Sequence, residues 1–215
     1  VVDLSVIGQA PVKTVVFGAE ALSLLEGKTL ILATPDSTIR LPMTGIGPDA
    51  ANGVRITLTN AGRTASVPSA AHMQPVSSAI EISVQNLGQE KKLAWPAEVT
   101  WKLSGARDIR KTGVYAYRAD TGTWEYFGGK IDKDHLTITI YADDSTATVY
   151  VAFQYNKSFA DLPREHWAKD AIEVLAARHI VNGVSESDFS PAASVTRAEF
   201  AAMAVRLLGL KTVSY

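Results

Sequence analysis

The 215-residue chain has no cysteine, which excludes disulfide staples, thiolate nucleophiles and cysteine-ligated metals. It has no apolar run near the ~20 residues of a membrane-spanning helix. It has no excess of charge either: 21 Lys and Arg stand against 22 Asp and Glu, giving a formal net charge of −1. That balance offers no global attraction to nucleic acid or to an anionic membrane surface. A Gly-x-Ser-x-Gly elbow, a P-loop and a Gly-x-Gly-x-x-Gly fingerprint are all missing, so nucleophilic hydrolysis and nucleotide binding lack support. The four histidines, His72, His135, His166 and His179, include no pair at i, i+4 spacing, so a zinc site is not expected; no cofactor is expected either. No secretory leader begins at Val1, so the signal of an exported protein is expected upstream.

What is present falls into two parts. From Val1 to about Tyr155 the apolar residues recur with period two. The strand-like runs are Val2–Val6, Val12–Phe17, Thr29–Ala33, Ser37–Leu41, Val54–Thr59, Ile80–Val84, Val99–Leu103, Gly113–Tyr117, Thr123–Phe127, Leu136–Tyr141 and Thr148–Phe153. Ala19–Leu25 reads as one or two helical turns ended by Gly27, and Pro35-Asp36 as a turn. Asn60–Ser78 reads as an exposed loop or ragged edge. Turn residues at roughly ten-residue spacing predict an antiparallel β-sandwich over residues 1–155 rather than βαβ units. Asp120-Thr121-Gly122 has the form of an aspartic-protease triplet, but it sits between two strand patterns and reads as a hairpin turn. Asp132, Asp134, Asp143 and Asp144 lack the spacing of an EF-hand loop and read as solvated turns. Trp95, Trp101, Trp124, Tyr115, Tyr117 and Tyr126 could form a sugar platform if exposed; as large rings on alternating strands, they are expected mainly in the core.

Residues 156–215 switch to helical spacing, so the fold class is mainly β with a small α-helical C-terminal part. Trp167, Ala171, Val174, Leu175 and Arg178 form one stripe; Phe200, Met203, Ala204, Leu207 and Leu208 form another. Gly209 stands where a left-handed C-cap residue belongs. Thr196 and Glu199 have the spacing of a capping box, which accounts for Glu199 locally as well as any binding role does. Arg197 has no such local account. A cation in the first turn opposes the helix dipole, so its reason lies outside the helix.

Phe159-x-Asp161, His166-Trp167-Ala168, Ile172, Ile180-Val181-Asn182-Gly183, Phe189-x-Pro191 and Val195-Thr196-Arg197-Ala198-Glu199-Phe200 together closely resemble one S-layer homology repeat, over residues 159–210. The resemblance implies an extracellular anchor that binds pyruvylated secondary polysaccharide of the bacterial cell wall. Such repeats usually come in threes, with ligand grooves between neighbours, so the partners are expected to be cell-wall polysaccharide and further repeats, in the parent chain or in a trimer. It also implies roles for five residues: Arg197 pairs with the acidic sugar, Asn182 and Gly183 shape the loop wall, Trp167 packs beside the groove, and Glu199 completes the set. A planar guanidinium suits that task, since it grips a carboxylate with two parallel hydrogen bonds and stays charged.

The β module resembles, more loosely, the sandwiches that precede such repeats in large surface proteins, through Thr123-Trp124-Glu125-Tyr126-Phe127-Gly128-Gly129-Lys130 and Val149-Tyr150-Val151-Ala152-Phe153. The chain thus reads as a C-terminal piece of a surface protein, without catalytic activity of its own, in which the sandwich is a spacer. Two rival readings stand beside this one: a carbohydrate-binding β module of a surface glycoside hydrolase, and a structural self-assembly unit.

Overall fold

A computed structural model describes residues 2–4, 10–44, 52–60, 72–88, 96–142 and 149–210. Its strands are β1 (Val2–Asp3), β2 (Val12–Phe17), β3 (Thr29–Ala33), β4 (Ser37–Pro42), β5 (Val54–Asn60), β6 (Met73–Pro75), β7 (Ile80–Asn86), β8 (Ala97–Lys102), β9 (Thr112–Arg118), β10 (Thr123–Gly128), β11 (Lys130–Asp132), β12 (Thr137–Ala142) and β13 (Val149–Tyr155). The helices are α1 (Ala19–Leu25), α2 (Lys169–Ala177) and α3 (Arg197–Leu207). Trp95, Asp143, Asp144 and part of the expected first strand lie outside the described residues.

Two sheets form. One runs β1-β3-β4-β8-β12-β11, the other β10-β9-β13-β7-β5-β2 with β6 added to β13. The pairings are antiparallel apart from β1 with β3. Period-two alternation turns Ile39, Leu41, Val99, Trp101, Ile138 and Ile140 of the first sheet inward. They meet Val54, Ile56, Leu58, Ile80, Val114 and Ala152 of the second in one continuous core. The chain is therefore mainly β, an antiparallel-rich sandwich followed by a helix pair, as its alternation predicts.

Strands β9 and β13 are buried on both faces, and this positions the rest. Their outward residues Tyr115, Val151 and Phe153 form a second cluster with Ala79, against which Trp124 and Tyr126 pack. Trp101 is fully buried, and Trp124 sits edge-on to Phe153, so the described Trp side chains of the sandwich serve packing. Asp120-Thr121-Gly122 is the β9–β10 turn: Gly122 N–H donates to the Arg118 carbonyl and Asp120 accepts from Thr121 N–H. The Asp132 carboxylate likewise accepts from the backbone N–H groups of Asp134 and His135 in a tight turn.

The structure corrects three expectations. Residues 73–78 are not loop: β6 pairs with Phe153–Tyr155 of β13, beyond the point where β7 meets β13 at Tyr150, and Val76, Ser77 and Ser78 are buried, while residues 61–71 of that stretch lie outside the described residues. A three-residue strand containing proline carries no alternation from which to be read. Strand β11, equally short, also gave no pattern. Of the expected α2 stripe Leu175 packs against the helical core, but the stripe is otherwise rotated by one position. Ala168, Ile172 and Ala176 face inward with Phe159, Leu162, Ile180 and Val181, whereas Trp167 is 91% exposed. Finally, the α3 stripe exists, but only Met203 joins that small core; Phe200, Leu207 and Leu208 are each more than 60% exposed.

Candidate functional site

The site is built on the loop between α2 and α3. Its first fixed point is Gly183, at φ +81°, where a Cβ would stand 2.6 Å from both the Asp188 carbonyl oxygen and the Phe159 ring. Only glycine combines that dihedral with that approach. The turn that follows closes on Asp188, whose carbonyl accepts from the N–H groups of Val184 and Ser185 at 2.9 and 3.2 Å. Asp161 then pins the far side of the loop, its two carboxylate oxygens accepting from the N–H groups of Phe189 and Ser190 at 2.9 and 2.6 Å. The Phe189 N–H, followed by that of Ser190, holds the Asp161 carboxyl below its ordinary value. Phe189 packs over Phe159 beneath this turn, joining the loop to the helical core.

The other wall is the start of α3. Thr196 Oγ1 accepts from Glu199 N–H at 3.2 Å, and Glu199 Oε2 accepts at 2.8 Å from both the N–H and the hydroxyl of Thr196. The capping box anticipated from spacing is formed. The Thr196 N–H, then its hydroxyl, lowers the Glu199 pKa, so the group is a committed carboxylate. At the far end of α3, Gly209 takes φ +63° and closes the helix as expected.

Between these walls lies an open groove of about 350 Å³, lined among others by Asn182, Gly183, Phe189, Val195, Glu199 and Arg206. Three of the five anticipated residues, Asn182, Gly183 and Glu199, are therefore brought together. Arg197 is not part of the lining; it is an exposed residue at the first turn of α3, between Val195 and Glu199, which are. Among the described residues none pairs with its guanidinium. Trp167 lies elsewhere, at the start of α2, stacked on the His166 ring at 6.0 Å.

Sequence reasoning missed Arg206. It sits in the last turn of α3, where a cation suits the helix dipole, so nothing in the sequence distinguishes it from an ordinary helix-end arginine. In the fold it reaches back to donate to the Ile180 carbonyl at 3.2 Å and supplies the groove's cation.

Comparison with known proteins gives the site a context. Residues 158–201 match the S-layer homology domain. The whole chain is 37% identical over 218 aligned residues to an amylopullulanase of Thermoanaerobacterium thermosulfurigenes, of which it covers 11%. Shorter matches, at 50% identity over 58 residues and 41% over 54, join the exoglucanase XynX of Acetivibrio thermocellus and an S-layer protein of Bacillus thuringiensis subsp. finitimus. These cover 27% and 25% of this chain, and 5% and 7% of those proteins. The chain thus spans about a tenth or less of the length of these relatives. The domain and its relatives indicate a location at the cell surface, in the cell wall. Among the described residues no helix is long and apolar enough to cross a membrane.

Proposed function

We propose that, in a chain whose residues 158–201 form an S-layer homology domain, the groove between the α2–α3 loop and α3 binds an acidic, pyruvylated secondary polysaccharide and so holds the parent protein on the cell wall. The observation that carries this reading is a pair of arginines around a sugar-sized groove: Arg206 in its lining and the exposed Arg197, without a partner among the described residues, beside it. A ketal-linked pyruvate presents one carboxylate, which a guanidinium grips in parallel hydrogen bonds. Asn182 offers an amide to sugar hydroxyls, and Gly183 lets backbone approach the ring. Glu199 holds the wall in place and leaves Oε1 to accept from a hydroxyl. Trp167 adds an exposed ring outside the groove.

In the same reading the sandwich, as residues 1–155, spaces the anchor (residues 156–215) from a polysaccharide-degrading part of the parent chain, on the pattern of the amylopullulanase. Further repeats, in the parent chain or in another copy, cover the exposed stripe of α3.

The test is co-sedimentation with purified cell walls, intact or stripped of secondary polymer, for the unaltered chain, Arg197→Ala and Arg206→Ala. Removing one guanidinium–carboxylate pair is expected to weaken binding by about 10–100-fold. Binding that depends on the polymer and falls in either variant supports the groove. Binding indifferent to both polymer and arginines moves the site to the sandwich. An absence of binding by every form overturns binding by a single repeat.

A further inference from the structure

The helical repeat does not hang from the sandwich by a flexible tether; it is seated on the outer face of the second sheet. One half of the contact is ionic. The Arg110 guanidinium donates to both oxygens of Asp170 at 2.7 Å, and Lys111 pairs with Glu173 at 2.7 Å. The other half is aromatic and centres on His179. Its Nε2 lies 2.8 Å from the Tyr115 hydroxyl, and its ring stands 4.9 Å from Tyr126, 5.1 Å from Tyr155 and 5.6 Å from Tyr115. These three tyrosines come from three adjacent strands, β10, β13 and β9.

The backbone at this position argues for a role of the ring. His179 ends α2 at φ +54°, with its N–H bonded to the Ala176 carbonyl and the Ile180 N–H to that of Leu175. This is the helix-ending motif in which glycine is the ordinary occupant and any Cβ is strained. The helix end gains nothing from the imidazole, whereas the sandwich does.

We propose that His179 is an acid-released latch: as a neutral imidazole it seats the repeat on the sheet, and on protonation it lets the repeat leave while the sandwich stays folded.

The surroundings oppose a charged ring. Burial, and after it the Lys157 ammonium, pushes the imidazole below its ordinary value. From β9, β10 and β13 it meets Tyr115, Tyr126 and Tyr155, and burial raises all three phenols, so none supplies an anion. From its own helix end comes Arg178. Across Tyr155 stand His72 and Glu186, and Glu186 is already shared between Lys157 and His72. The free repeat binds the proton more readily than the docked one. Docking is therefore fully favoured above the ordinary imidazole value of about 6.5 and weakens as pH falls below it, by up to about tenfold per pH unit.

NMR of the whole 215-residue chain between about pH 8 and about pH 4.5 tests this. Cross-peaks from the His179 ring to Tyr115 and Tyr126 should vanish in step with its protonation, while those around Trp101 persist. Cross-peaks that survive protonation overturn the latch, as does a loss that takes Trp101 with it. Tyr115→Phe removes the hydroxyl partner and should raise the release midpoint by about half to one pH unit; an unchanged midpoint counts against the proposal. His179→Gly separates the latch from a helix-end role, because glycine relieves the backbone. Lys157, buried at the junction, should then be cut by trypsin at neutral pH at least about tenfold faster. A glycine variant as resistant as the unaltered chain overturns the proposal.

Discussion

Around Gly183 two constraints coincide, a left-handed dihedral and a backbone–ring approach that leaves no room for a methyl group. Gly183→Ala is expected to destabilise the helical part by at least about 2 kcal/mol, read as a lowered urea midpoint with an unchanged slope. The glycine was legible from its motif, although its reason was not: the Asp188 carbonyl and the Phe159 ring come near only in the fold. Arg197 shows the converse. Its oddity is local, a cation against a helix dipole, and so the sequence alone exposed it. Arg206 sits where the dipole favours a cation, and its sequence position therefore conceals its place in the groove. His179 was equally silent, since nothing in the chain marks the residue after Arg178 as left-handed until the helix is seen to end there.

Among the elements, α3 is held mainly by its ends. It has no buried residue, its first turn is closed by the capping box and its last by Gly209. Thr196→Ala removes the side-chain acceptor for Glu199 N–H and is expected to cost about 1 kcal/mol, measured by loss of helical circular dichroism on mild heating. The cost falls on α3 with little effect on the sandwich, because few contacts tie α3 to anything else. Both helices were legible through their 3.6-residue period, and the caps fixed the start and stop of α3. The inward face of α2 was not. Trp167, Ala171 and Val174 make as good a stripe as Ala168, Ile172 and Ala176; the choice was settled by Phe159 and Leu162, which close on the second set.

At the scale of the molecule the two parts bury very different amounts of apolar surface. The sandwich closes a continuous core between two sheets, whereas α3 leaves Phe200, Leu207 and Leu208 in water. An apolar row of that kind on one helix seeks a partner. Sedimentation velocity over a concentration series should show self-association, and the double substitution Phe200→Asp, Leu207→Asp should leave the chain monomeric at every concentration. Association that persists in the double variant would assign it to another face.

The sequence by itself determined whatever depends on near neighbours along the chain. The alternation of the strands, the β9–β10 turn, the capping box and the Gly209 stop follow from spacing, and the resemblance to an S-layer homology repeat rests on its motif residues. The tertiary structure alone decided which faces meet. Strand β6 pairs with the end of β13 from a stretch with no strand pattern, and the outer face of that sheet seated the repeat through Arg110, Lys111 and His179. The physical reason is range. Dihedral preferences and capping bonds act over a few residues, whereas burial and ion pairing between segments some sixty residues apart exist only once the chain has closed on itself.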